Sequence, residues 1–224
     1  MIPSSPPAGA SSPPNDRPSP DTAVYAYTIT RWSPPDPAAP VRVVTHRDIA
    51  MLVADVDPAE FTEPAMIGLV RRHHTVVREA FEHGTVLPLR FATMFADDDA
   101  VRRLLRECHD EVVATLAAIA GHREWGVRIP RPQTAPAAGI SGTDYLALRR
   151  RERDGDQLHR RLARHTSRST VRQPGPGFRL DAVYLVPDQD EDEFLAEVDS
   201  IGGEVETTGP WPPYSFSELR TAAR

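Results

Sequence analysis

The groups that could do chemistry are few and scattered. Cys108 is the only thiol in the 224 residues. One cysteine excludes an internal disulfide and a multi-cysteine metal site. A nucleophilic thiol needs exposure, a depressed pKa and a neighbouring base, whereas Cys108 falls on an apolar helical stripe and reads as a core residue. His73 and His74 are adjacent. Neighbours on a helix point about 100° apart, so the pair cannot face one metal, and no H-x-x-x-H or H-E-x-x-H spacing occurs. A looser reading places His73, His74 and Arg90 around a small-ligand or enzymatic pocket between two domains. The acidic run Asp188 to Glu193 lacks the glycine and closing glutamate of a calcium loop and reads as a solvated helix start. No G-x-G-x-x-G, P-loop or G-x-S-x-G is present. The residues imply no catalytic group, cofactor or metal.

Charge is more telling than any motif. Ten arginines and three carboxylates lie between Arg149 and Arg179, and ten carboxylates with no base lie between Asp181 and Glu206. The two stretches can neutralise each other. Alternatively a basic face built on Arg149, Arg150, Arg151, Arg160, Arg161 and Arg164 docks an acidic partner, for which the planar guanidinium is well shaped. Nucleic acid fits less well, because no aromatics are interleaved and the net charge is −6.

The elements that would position these groups can be traced along the chain. Residues 1–21 are rich in Pro and Ser with little to bury, and predict a disordered arm. Strands are expected at 24–30, 41–46 and 51–56. A helix follows from about Pro64 to His83, with a stripe of Ile67, Val70, Val77 and Phe81 and a stop at Gly84. Val86–Phe91 is a short strand interrupted by Pro88. A second helix starts at Asp97–Asp99. It carries Val101, Leu104, Leu105, Cys108, Val112, Leu116 and Ile119 over five turns and ends at Gly121.

Glu124–Pro130 is a further strand, closing an N-terminal α+β domain over 22–130. Residues 131–142 read as a linker. A helical stretch (143–166), a strand (179–186), a helix (190–202) and a strand starting at 203 form a C-terminal ferredoxin-like domain over 143–208. Residues 209–224 are a tail. No run is long and apolar enough to span a bilayer, and no secretory leader opens the chain, which predicts a cytoplasmic protein.

Two sequence blocks carry a resemblance. His73–Leu105 (HHTVVREAFEHGTVLPLRFATMFADDDAVRRLL), completed by EWGVRI at 124–129, and the closing AVYLV with TGPWPPYSF (182–186 and 208–216) resemble the gas vesicle GvpF/GvpL family in order and separation. The chain departs from that pattern in its Pro/Ser arm, in a short segment between Tyr145 and Arg179, and in the residues after Phe216. The resemblance implies two α+β domains, the second a modified ferredoxin-like fold. It also implies a non-enzymatic accessory protein, a minor vesicle component that binds the hydrophobic shell protein GvpA, with other gas vesicle accessory proteins as further partners, and assists nucleation or assembly. Trp211, Tyr214 and Phe216 then suit an inter-domain clamp, since proline-rich aromatic segments lose little entropy on ordering.

Overall fold

A computed structural model describes residues 22–31, 40–131, 154–172, 175 and 177–219. The expected arm (1–21), most of the linker, and Arg149, Arg150 and Arg151 lie outside the described residues.

The first sheet is built from β1 (Ala23–Thr30), β2 (Arg42–His46), β3 (Ile49–Val56) and β4 (Val86–Pro88), in the order β2-β3-β1-β4. The two-residue β5 (Met94–Phe95) also pairs with β1. All of these pairings are antiparallel. Alternation along β3 sends Ile49, Met51 and Val53 to one face and Leu52 and Ala54 to the other. A register shift between Ala26 and Thr28 lets Val24, Ala26 and Ile29 share a face despite their spacing.

Helix α1 (Met66–His83) covers the Leu52 face through Val77 and Ala80. The stripe expected on α1 is rotated: His73, Val77 and Ala80 are buried, while Ile67 and Val70 are exposed at 69% and 45%. The opposite face is covered by α2 (Asp98–Glu107) and α3 (His109–Ile119). Asp97 caps α2, its Oδ1 accepting from Ala100 N–H at 2.7 Å.

The single long helix expected over 97–120 is kinked at Cys108. The ladder still runs through the kink, with Cys108 N–H to Leu104 O and Val112 N–H to Cys108 O. Val101, Leu105, Cys108, Val112, Leu116 and Ile119 therefore stay on one buried face.

The second sheet has β6 (His122–Pro130), β7 (Arg168–Val171), β8 (Phe178–Pro187) and β9 (Glu206–Trp211), in the order β7-β8-β6-β9, again antiparallel. Residues 154–162 are helical (α4), and α5 spans Glu191–Ser200. The sequence order β6-α4-β7-β8-α5-β9 with this spatial order is the ferredoxin-like arrangement. It corrects one expectation. The strand expected over 124–130 as the close of the N-terminal unit is β6, which lies inside the second sheet. Strand β7, at 168–171, carried too few apolar residues to be expected at all.

One face of this sheet packs Trp125, Val127, Ala182 and Tyr184 against α4 and α5, through Leu162, Phe194 and Val198. From the other face Val183 and Leu185 enter the same core as β1, β3, α2 and α3, together with Phe216 and Leu219.

Candidate interaction site

The segment after β9 lies between the two sheets. Gly209 makes its entry possible. Its φ is +138°, and a Cβ there would sit 2.8 Å from both Glu124 O and the Trp125 ring. Past Trp211, the 3-10 turn Tyr214–Phe216 makes three contacts. Phe216 is buried in the shared core. Tyr214 Oη lies 3.1 Å from His74 Nδ1, and the Trp211 and His74 rings approach edge-on at 5.3 Å. Ser215 donates from its N–H (2.7 Å) and its Oγ (2.8 Å) to the two carboxylate oxygens of Glu124. Helix α1 and strand β6, on different sheets, are thus both held by one short segment.

The electrostatics follow from burial. Burial raises the pKa of Glu124; the Ser215 hydrogen bonds and the charge of Arg172 oppose the rise only in part. Burial likewise lifts the Tyr214 hydroxyl, with Glu124 adding to the effect, and lowers His74, with Arg78 adding to it.

His73 points elsewhere. Its Nδ1 lies 2.7 Å from Tyr25 Oη, which itself accepts from Ala92 N–H. Which of the two donates depends on the imidazole tautomer. Burial depresses His73 to about 4, and His74 contributes to the drop. The rings of Tyr25, Tyr27 and Phe91 lie against it, and Phe61 stacks on Tyr25. Arg90 is exposed and pairs with Glu218 at 2.7 Å. His73, His74 and Arg90, grouped by sequence into one pocket, are engaged in three separate contacts. Cys108 is 1% exposed in the apolar core.

The second unit's charges divide into paired and unpaired groups. Arg161 donates to Glu197 at 2.7 Å and to Ser200 Oγ at 2.9 Å. Arg123 meets Asp188 and Glu191, and Arg128 meets Asp181. Arg160 donates to the Asp156 carbonyl, and Arg164 is exposed. Among the described residues no group of three or more His, Cys, Asp or Glu side chains could hold a metal ion, and no helix is long and apolar enough to cross a membrane.

The sequence missed the exposed apolar row on α1. Ile67 and Val70 lie one turn apart, followed by His74 a turn later, and Trp211, 37% exposed, abuts His74. Both side chains fit the core stripe by spacing alone. Only the orientation of α1 on the sheet reveals them as surface.

A family model described as gas vesicle synthesis protein GvpL/GvpF matches residues 23–144 and 141–218, nearly the whole described chain. The chain belongs to the GvpL/GvpF family. Gas vesicle protein L of a Streptomyces species is 33% identical over 89% of this chain and 94% of that protein. Gas vesicle protein F1 of Halobacterium salinarum is 29% identical over 83% of this chain and 85% of that protein. Crystal structures of GvpF from Anabaena sp. and from Microcystis aeruginosa share the fold. Their TM-scores are 0.74 and 0.70 at 18% and 20% identity; each covers 88% of this chain, and the match spans 97% and 99% of those chains.

Proposed function

We propose that this GvpL/GvpF member is a non-catalytic assembly factor that binds the hydrophobic shell protein GvpA, acts in the cytoplasm and becomes a minor component of the gas vesicle. The observation that carries the reading is the family match along both sequence stretches. A small, very apolar shell subunit aggregates unless its surface is covered or incorporated. A protein with a polar exterior and a limited apolar docking face can provide that cover.

The exposed row Ile67, Val70 and Trp211 is the face we assign to that contact. In this reading Trp211, Tyr214 and Phe216 also clamp the unit around the first sheet to the unit around the second, and so hold the row in place. Other gas vesicle accessory proteins are further partners of the same kind.

The test is co-expression of the tagged full chain with GvpA. Co-purification is expected, together with its loss in Ile67→Glu/Val70→Glu protein whose melting temperature is unchanged. Absence of co-purification, or normal vesicles in a strain lacking the gene, would overturn the reading.

A further inference from the structure

Strand β7 ends the second sheet, and no other strand lies beside its outer edge among the described residues. Its inner edge is satisfied: Arg172 N–H donates to Asp181 O at 2.8 Å. In an antiparallel ladder the neighbouring Val171 then turns its N–H and C=O outward. Val171 is also 50% exposed. The edge therefore offers backbone donors and acceptors beside an accessible apolar side chain.

The charges along this edge are distinctive. Arg168 and Arg172 alternate with Thr170 on one face of β7, on the side of the Tyr214–Phe216 turn. Arg168 lies over the Phe216 ring at 5.3 Å, and Arg172 donates to Ser215 Oγ at 3.3 Å. Arg164 is exposed just before the strand. None of the three forms a direct ion pair with a carboxylate among the described residues, although the charge of Arg172 reaches Glu124 behind Ser215, whereas Arg123, Arg128 and Arg161 of the same unit are all paired. The chain carries ten carboxylates between Asp181 and Glu206 and still leaves this edge positive.

The geometry points to β7 as a docking edge for an extended acidic segment of a partner protein, which adds a strand to the second sheet with carboxylates at alternate positions. Alternation places successive carboxylates on one face, where they meet Arg168 and Arg172 as cross-strand neighbours. Main-chain bonds supply affinity, and the arginines supply selectivity for acidic sequence. Guanidinium groups on an edge also discourage sheet-to-sheet aggregation, and the test separates that role from docking. The proposal is independent of GvpA binding through α1.

The probe is a fluorescein-labelled decapeptide of alternating Thr and Glu, titrated against the full chain by anisotropy at low and at raised salt. Saturable binding that weakens with salt is expected. It should fall at least tenfold in Arg168→Gln/Arg172→Gln protein. It should also fall at least tenfold in Val171→Pro, which removes the outward N–H together with the exposed valine side chain. A peptide N-methylated at alternate residues should bind wild type at least tenfold more weakly, which keeps the question decidable if Val171→Pro does not fold. Four results would overturn the proposal: no peptide binding, equal binding of the N-methylated peptide, tighter binding of an RNA oligomer to the same arginines, or sedimentation showing a second copy on this edge. Retention of GvpA co-purification in Arg168→Gln/Arg172→Gln protein is expected, and keeps the two interactions distinguishable.

Discussion

Glu124 is a carboxylate placed where its ionised form is disfavoured. Burial raises its pKa above the unfolded value, so over that interval the folded chain binds more protons than the unfolded one. The stability this group contributes is full below the ordinary glutamate pKa and is lost as pH rises through the folded value. Glu124→Gln removes the ionisation and can still accept from Ser215 N–H. Melting curves should show the variant above wild type at pH 7.5, with the gap closing towards pH 4.5. Glu124→Ala leaves Ser215 N–H without its acceptor and should cost about 1–3 kcal/mol in urea unfolding. His73 has the opposite sign. With a folded pKa of about 4, it stays neutral while the unfolded histidine takes up a proton near pH 6.5. Its contribution is full above pH 6.5 and drains away between 6.5 and 4, by about 3 kcal/mol at most. Urea midpoints of wild type should therefore drop between pH 7 and pH 5. His73→Phe should start lower, because the buried Tyr25 Oη loses its hydrogen-bond partner, and should drop less.

At the level of elements, the kinked α2–α3 pair shows how a regular pattern survives an irregular backbone. Its seven apolar positions were legible because 3.6-residue spacing carries through the kink; the kink itself has no proline or glycine to announce it. Cys108 sits at the bend, 1% exposed, and should react with a thiol reagent at least roughly a hundredfold faster in denaturant than in native buffer. Asp97→Ala should cost about 1 kcal/mol by removing the cap on Ala100 N–H, read as a lowered urea midpoint. What sequence could not show was tertiary. Ile67 and Val70 have core-like spacing, but the orientation of α1 on the sheet leaves them exposed. Strand 122–130 reads as a strand from its residues, yet only its partners, β8 and β9, show which sheet it serves. His73 and His74 differ by one position and face different neighbours, a distinction that composition cannot carry. The block GPWPPYSF was singled out by pattern, while the need for its glycine, the close approach to Glu124 and Trp125, appears only in space.

At the level of the whole molecule, one core receives side chains from both sheets and from the closing turn. Phe216→Ala removes a ring from its middle and should cost about 3–5 kcal/mol, with unfolding still a single transition by circular dichroism and Trp fluorescence. Tyr214→Phe keeps the packing and loses only the bond to His74, about 1 kcal/mol by the same measurement. The placement of β6 has another consequence. The chain leaves α3 through Ala120 and Gly121 straight into an inner strand of the second sheet, and reaches that sheet's remaining strands only after residues 131–153. A protease that nicks this connection would divide the polypeptide without dividing its hydrogen-bonded ladder, because one product keeps β6 and the other keeps β8 and β9. The two products should travel as one species on a native gel and come apart only in denaturant, a natural split protein whose halves are stitched by a strand.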